Sequence, residues 1–217
     1  MKKILLISLA SLSAFSQTSN IFEPIDVFDL EYISNPQISP SGDKVLYQRN
    51  FNDIMTDQSF SNIWLIDYDG NNNRPITTGN FKDNSPKWSN QGDKFLFKSN
   101  REGKSQIFLF DLNNNSIQKL TNFQYSIESI QWSPNDKYIL FSSFIDSERD
   151  TLIEMPDKPK GAKWNDPPVE ISDLNYRYDS SGFRKPGEVQ FFTIPVNGGT
   201  PRQISNIKPE KRAGQGV

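Results

Sequence analysis

The sequence predicts an all-β protein: a partial, open β-propeller of about three four-stranded blades. Short apolar stretches such as KFLFKS at 94–99 and IFLFDL at 107–112 alternate with turn-forming Gly, Asn, Asp and Pro, which is typical of strands. These stretches recur with a period near 44 residues, as expected for propeller blades. Closed propellers have about 4 to 8 blades, so three repeats predict a ring that is not closed.

The repeat is seen most clearly in its outer half. NIWLIDYDGNNNRPIT at 62–77 matches QIFLFDLNNNSIQKLT at 106–121, and Trp88-Ser89 recurs as Trp132-Ser133 at the same offset of 44. Between Asp43-Lys44 and Asp93-Lys94 the offset is 50, and the six extra residues fall within FNDIMTDQSFS at 51–61. An insertion in a connecting loop is the expected explanation.

Each repeat is expected to supply four strands. In the second repeat we place them near 86–88, 94–99, 106–111 and 117–120. The Asn-rich and Gly-containing turns between them tolerate positive φ at low steric cost. Because a single blade cannot cover its own two apolar faces, each repeat must bury the next. We therefore predict that Trp64, Trp88 and Trp132 pack between blades.

The predicted domain layout begins with a lead segment and continues as propeller. The third repeat is interrupted after Phe144, and its outer strands resume at VQFFTIPVNGGTPRQIS, 189–205. Within the insertion, VEISDLNYRYD alternates well enough to form one strand. The predicted units are a signal peptide (1–16), an N-terminal lead-in (17–35) and a partial propeller (36–217), with blades at 36–80, 81–122 and 123–205 and an insertion at 146–188.

The N-terminus MKKILLISLASLSAFSQ has the pattern of a secretory signal. Two lysines precede an apolar run from Ile4 to Phe15, and small residues Ala14 and Ser16 precede a cut before Gln17. This run is shorter than the about 20 residues needed to span a bilayer. We expect an exported protein, periplasmic or extracellular, with no membrane span after cleavage.

Composition excludes several classes of function. The chain has no histidine and no cysteine, which removes Ser-His-Asp and Cys-His dyads, imidazole metal sites and disulfides. With 24 basic and 26 acidic residues there is no basic field for nucleic acid. We expect no cofactor, no metal and no nucleic-acid partner.

Several stretches together resemble the N-terminal propeller of the prolyl-oligopeptidase family of serine peptidases, especially secreted bacterial members similar to acylaminoacyl peptidases and dipeptidyl peptidases. They are IDVFDLEYISNPQISPSGDKVLY, PKWSNQGDKFLF, IQWSPNDKYILF and VEISDLNYRYDSSGF with GEVQFFTIPVNGGTPRQIS. The resemblance implies that the propeller gates and selects substrate for a C-terminal α/β-hydrolase domain with a Ser nucleophile in G-x-S-x-G, an Asp and a His.

This sequence departs from that family pattern because it contains neither G-x-S-x-G nor any His. No catalytic residue can therefore be assigned, and whether the chain is an enzyme stays open. The resemblance implies that the partners are the missing hydrolase domain, the remaining blades and a peptide substrate of the parent enzyme. It also suggests that Glu154, Glu170 and Arg177 in the insertion bind substrate, the glutamates through a terminal amine and the arginine through a carboxylate.

Three functions remain open on the sequence alone. The first is the propeller fragment of an exported serine peptidase, inactive by itself. The second is a non-catalytic periplasmic binding or scaffold propeller similar to the Tol-system propeller. The third is a propeller hydrolase or lyase with a histidine-free site.

Overall fold

The computed structural model describes residues 21–147, 156–165, 176–179 and 182–208. A 3-10 helix spans Pro24–Asp29 and is followed by strands. The strands are β1 (Tyr32–Ile38), β2 (Lys44–Asp53), β3 (Gln58–Asp67), β4 (Arg74–Pro75), β5 (Asn84–Trp88), β6 (Lys94–Ser99), β7 (Gln106–Asp111), β8 (Ser116–Lys119), β9 (Ile127–Trp132), β10 (Tyr138–Asp146), β11 (Arg177–Tyr178), β12 (Gly182–Phe183), β13 (Gly187–Pro195) and β14 (Arg202–Gln203).

The strands form three four-stranded antiparallel sheets, and each sheet is one blade. The first blade is β1-β2-β3-β4, the second is β5-β6-β7-β8 and the third is β9-β10-β13-β14. This confirms the predicted fold class. The first blade begins inside the segment predicted as the lead-in, because β1 starts at Tyr32 and pairs with β2.

The interruption of the third repeat is accommodated between two neighbouring strands. β10 and β13 pair along their whole length, from Tyr138 opposite Pro195 to Asp146 opposite Gly187. The chain between them therefore leaves and re-enters the sheet at one end. The signal peptide lies outside the described residues, and of the segment expected as one strand at 169–179 only 176–179 are described, with β11 in a hairpin with β12.

The first strands of successive blades lie side by side and are joined by indole hydrogen bonds. β1 contacts β5, and β5 contacts β9. Trp88 Nε1 donates to the backbone oxygen of Gln37 at 2.9 Å, and Trp132 Nε1 donates to that of Lys87 at 2.9 Å. The predicted role of Trp88 and Trp132 between blades is confirmed, and each also ties its blade to the preceding one.

Two apolar cores fill the gaps between the blades. Successive side chains along a strand point to opposite faces of the sheet. Within one blade, alternate residues therefore pack against the blade on one side or the blade on the other. Leu46, Ile63 and Leu65 of the first blade meet four phenylalanines of the second, Phe95, Phe97, Phe108 and Phe110. The opposite face of the second blade, which includes Leu96 and Ile107, meets Ile139, Phe141 and Phe192 of the third.

The recurring Ser-x-x-x-Asp segments are turns that close the first hairpin of a blade. The Ser39 hydroxyl donates to Asp43 at 2.9 Å and accepts from the Lys44 N–H at 3.0 Å. Ser89 makes the same pair of bonds with Asp93 and Lys94, at 3.0 and 3.2 Å. Hydrogen bonds to Ser41, Lys44 and Ser39 hold the pKa of Asp43 well below its usual range.

Both ends of the row of blades expose apolar side chains. On the first blade Ile33 and Ile38 are 64% and 70% exposed, and on the third blade Tyr138 is 50% exposed. Trp64 lies on this open face of the first blade, so the prediction that it packs between two blades is wrong for the described part of the chain. Its counterpart in the second blade is Phe108, because Trp64 pairs with Tyr47 as Phe108 pairs with Phe97.

Candidate functional site

A polar groove opens between the first and second blades. The groove has a volume of about 380 Å³, and we call it the interblade groove. Its lining residues are Tyr32, Asn35, Gln48, Asn50, Asn52, Ser59, Phe60, Ser61, Lys82, Asn84 and Ser85. The set contains carboxamides, hydroxyls, two aromatic residues and one lysine, and it contains no carboxylate.

The hairpin of β2 and β3 builds one wall of the interblade groove. Both strands have 10 residues, whereas their counterparts β6 and β7 have 6. The six extra residues thus lengthen paired strands instead of forming a loop, which corrects the prediction of a loop insertion. Within the β2–β3 hairpin, the only residues outside the strand pairing are those of the turn at 54–57.

Strand alternation sets the polarity of this wall. Gln48, Asn50 and Asn52 are two residues apart on β2, so they share one face, and their partners Ile63, Ser61 and Ser59 on β3 share it too. The other face of the same hairpin carries Phe51 and Phe60, whose ring centroids lie 5.9 Å apart. The apolar core between the blades therefore gives way to carboxamides and hydroxyls towards the tip of the hairpin.

A chain of hydrogen bonds fixes the carboxamides in place. Asn35 Nδ2 donates to Gln48 Oε1 at 3.0 Å, and Gln48 Nε2 donates to Asn50 Oδ1 at 2.6 Å. Asn50 Nδ2 then donates to the backbone oxygen of Tyr32 at 3.1 Å and to Ser34 Oγ at 2.9 Å. Because Gln48 and Asn50 are buried, these bonds satisfy groups that burial would otherwise penalise.

The opposite wall is the segment that enters the second blade. Lys82 forms a parallel bridge with Ser61, and its backbone N–H donates to Asn100 Oδ1 at 2.8 Å. The Lys82 side chain is exposed. Among the described residues Lys82 forms no ion pair, in contrast to Lys44, Lys94 and Lys119.

Next to Lys82, an ion pair between buried Asp83 and half-buried Arg101 anchors this wall. Asp83 is fully buried, and both of its carboxylate oxygens accept hydrogen bonds from Arg101 Nη2, at 3.0 and 2.9 Å. The Arg101 guanidinium also lies 4.9 Å from the Phe108 ring centroid, within cation–π range. These contacts hold the backbone of the wall, and neither charge faces the groove.

Lys98 marks the corresponding position in the gap between the second and third blades. Burial lowers the pKa of Lys98, while the charge of Glu128 acts in the opposite direction. Its ammonium donates to the backbone oxygen of Glu128. The two gaps thus differ in character, because Gln48 occupies in the first gap the place that Lys98 occupies in the second.

The predicted substrate-binding residues do not lie in the interblade groove as far as the structure describes them. Arg177 is exposed in β11, on the small two-stranded sheet of the insertion. Glu154 and Glu170 lie outside the described residues, so their proposed role stays a prediction. In the described ranges, no cluster of acidic residues could hold a metal ion.

The sequence carried a signal for the residues that were missed. Asn50 and Asn52 flank Phe51, and Ser59 and Ser61 flank Phe60, which is the alternation of a strand with one polar face. Their convergence with Lys82 depends on how two blades pack, and no local pattern shows that.

In the part of the chain that the structure describes, no helix has the length and apolar character that a membrane span requires.

Two curated relatives are named as peptidases. The chain is 33% identical over 166 residues to dipeptidyl-peptidase 5 of Porphyromonas gingivalis, covering 76% of this chain and 24% of the relative. It is 25% identical over 186 residues to the uncharacterized peptidase YuxL of Bacillus subtilis, covering 85% of this chain and 28% of the relative. The chain thus spans about a quarter of the length of these relatives.

Solved structures show the same fold. An acylaminoacyl peptidase from Pyrococcus horikoshii matches with a TM-score of 0.60 at 19% identity, over 82% of this chain and 25% of that chain. An acylaminoacyl peptidase in complex with a chloromethyl ketone matches with a TM-score of 0.60 at 18% identity, over 81% of this chain and 25% of that chain.

A family model gives the most direct assignment. The model of the TolB β-propeller domain matches residues 25–158, which spans all of the first two blades and the start of the third. The chain therefore belongs to the TolB β-propeller domain family, and its relatives and structural neighbours are consistent with the N-terminal propeller of a prolyl-oligopeptidase-family peptidase.

Proposed function

We propose that this chain is the propeller segment of an exported serine peptidase of the prolyl-oligopeptidase family, in which it selects and admits peptide substrates. The observation that supports this most strongly is the 33% identity to dipeptidyl-peptidase 5, a protein of which the chain spans only 24%. The chain alone has no histidine, so the Ser-His-Asp chemistry of the family must come from elsewhere in the parent. By itself the chain is inactive.

Exposed apolar residues on the 3-10 helix and on the β2–β3 turn support a docking role for the surface that they share. Ile25 and Val27 of the 3-10 helix and Ile54 and Met55 of the β2–β3 turn are all exposed, Met55 to 87%. The Asn52 side chain donates to the backbone oxygen of Val27 at 3.0 Å, which joins the helix to this hairpin. Apolar surface of this kind suits contact with the hydrolase domain of the parent.

The test begins with the coding region that follows the codon of Val217. We expect a G-x-S-x-G and a later His in frame, and we expect the complete product to hydrolyse dipeptidyl or acylaminoacyl reporter substrates and to react with a fluorophosphonate. The 217-residue chain should do neither. Turnover by this chain that the phosphonate blocks would contradict the proposal.

The insertion provides a second test in that complete product. Replacement of Glu154 and Glu170 by Gln should raise the Michaelis constant for peptides with a free amine far more than for amine-blocked peptides, because a carboxylate pair suits an ammonium group. Equal effects on both substrates would remove these residues from the site.

A non-catalytic binding propeller is the second candidate. The match to the TolB β-propeller domain favours it, since that model describes a propeller domain and no catalytic domain. If the coding region continues as further repeats and ends without a nucleophile motif, this second function replaces the first.

A further inference from the structure

We propose that the interblade groove binds an extended peptide through its main chain, and that Lys82 anchors a carboxylate on that peptide. The inference deepens the proposed function, because it takes the peptide as ligand from there. It assigns a location and specific contacts that the predicted residues of the insertion do not provide.

The chemistry of the walls matches a peptide main chain. A peptide presents alternating N–H donors and C=O acceptors, and a carboxamide side chain has both a donor and an acceptor. Asn35, Asn52 and Asn84 line the groove and are accessible, whereas Gln48 and Asn50 line it as buried groups that support them. Ser59, Ser61 and Ser85, whose hydroxyls also donate and accept, line the groove as well.

The carboxamides are oriented before any ligand arrives. The bonds from Asn35 to Gln48 and from Gln48 to Asn50 fix the side chains at 3.0 and 2.6 Å. On the tip of the hairpin, Ser59 Oγ donates to Asn52 Oδ1 at 2.9 Å, and Asn52 Nδ2 donates to the Val27 oxygen. Binding therefore requires little ordering of these groups, which favours affinity.

Charge distinguishes the ligand from other polar molecules. Lys82 is the single charged residue that lines the groove, and in the described part of the chain it has no carboxylate partner. One cation among neutral amides suits one carboxylate and is too little for a phosphate backbone. The N–H of Lys82 donates to Asn100, and its neighbours Phe81 and Asp83 bond the backbone of Ser61. Together with the Asp83–Arg101 pair, these contacts fix the backbone position of Lys82.

The test uses the chain itself and fluorescence anisotropy. The probe is fluorescein-labelled penta-alanine, prepared with a free C-terminal carboxylate or as the C-terminal amide. Amidation of the peptide and the substitution Lys82→Gln should each weaken binding about three- to fivefold, the range of an exposed ion pair. Together they should weaken it no further, since they remove the same contact.

Matched variants separate the groove from the rest of the surface. Asn52→Leu should weaken binding of both peptides, whereas Asn113→Leu, at an exposed turn of the second blade, should not. Lys137→Gln, at an exposed turn of the third blade, is the control for Lys82→Gln. Circular dichroism of each variant verifies that it is folded.

Three results would overturn the inference: equal affinity for the acid and the amide, loss of binding by the control variants alone, or displacement of the probe by maltopentaose as effectively as by unlabelled penta-alanine. The last result would identify a saccharide groove. Because binding is measured on this chain, the groove proposal can still hold if the parent proves not to be a peptidase. If the complete parent is active and Lys82→Gln leaves its kinetic constants for peptides unchanged, the groove proposal fails while the proposed peptidase function stands.

Discussion

At the residue scale, two tryptophans show how the blade interface uses its polar atoms. Trp132 is buried and its indole N–H donates to Lys87 across the gap between blades. Trp64 sits beneath Arg49, whose guanidinium carbon lies 5.3 Å from its ring centroid, and its Nε1 is buried without a partner among the described residues. A buried donor left unpaired costs about 1–3 kcal/mol.

We therefore expect Trp132→Phe and Trp64→Phe to differ. Trp132→Phe should lower the free energy of unfolding by about 0.5–1.5 kcal/mol, because the hydrogen bond from the indole to the Lys87 carbonyl is lost. Trp64→Phe should lower it by less or raise it, since it removes an unpaired donor. Urea unfolding followed by circular dichroism measures both, and equal losses would contradict this account.

The ion pair beside the interblade groove gives a second contrast between residues. Asp83 is fully buried against Arg101, whereas the side chains of Glu31 and Arg49 remain 45% and 35% exposed. Asp83→Ala should lower the free energy of unfolding by about 3–5 kcal/mol, because it leaves a charge without its partner. Glu31→Gln should change it by less than about 1 kcal/mol. The same urea experiment compares the two variants. A loss as small for Asp83→Ala as for Glu31→Gln would contradict this role, because it would mean that water solvates Arg101 once its partner is gone.

At the scale of the element, one hydroxyl in each blade secures the chain after the third strand. Thr77, Thr121 and Ser205 accept hydrogen bonds from the backbone N–H groups of Ile63, Ile107 and Phe191, at 2.9, 2.9 and 2.7 Å. In two blades a glutamine side chain adds two further hydrogen bonds. Gln106 bonds the backbone N–H and the carbonyl oxygen of Phe123, and Gln190 bonds the same two groups of Ile207. The outer edge of the blade thus depends on few side chains.

Thr77 and its neighbour Thr78 provide a direct test of that hydroxyl. Thr77 is buried and Thr78 is exposed. Thr77→Val should lower the free energy of unfolding by about 1–3 kcal/mol and speed hydrogen exchange of the Ile63 amide, because that N–H loses its acceptor. Thr78→Val should stay within about 0.5 kcal/mol. Unchanged exchange at Ile63 in the Thr77 variant would refute the role.

Strand positions were predictable because alternation and turn residues are local signals. The four strands expected in the second repeat agree with β5 to β8 within two residues at each end. The six inserted residues were misjudged as a loop because Asn and Asp have low strand propensity. In the structure they are paired strand, since Phe51 and Phe60 pack on one face and leave the polar face towards the groove.

The candidate site was less predictable than the fold. The groove joins residues 48–61 to residues 82–85, and only the packing of one blade on the next brings them together. Trp64 was grouped with Trp88 and Trp132 by residue type, although its strand position matches Phe108. A single sequence gives the elements and their order, but it does not show which faces meet.

At the scale of the whole molecule, the account depends on three blades that pack side by side and leave two apolar end faces. The second and third blades are joined at their turns, where Asn90 Nδ2 donates to Asp136 Oδ1 at 2.7 Å. Exposed Ile33 and Ile38 at one end and Tyr138 at the other are the surfaces that further blades would cover.

Cross-linking tests this arrangement most directly, because the chain has no native cysteine. A short bis-maleimide should join Asn90→Cys to Asp136→Cys within one molecule, and peptide mapping by mass spectrometry should identify the link. The pair Ser41→Cys and Asp136→Cys, on blades separated by the second blade, should remain unlinked. Linkage of the second pair but not the first, with all thiols shown to be reactive, would contradict the side-by-side packing.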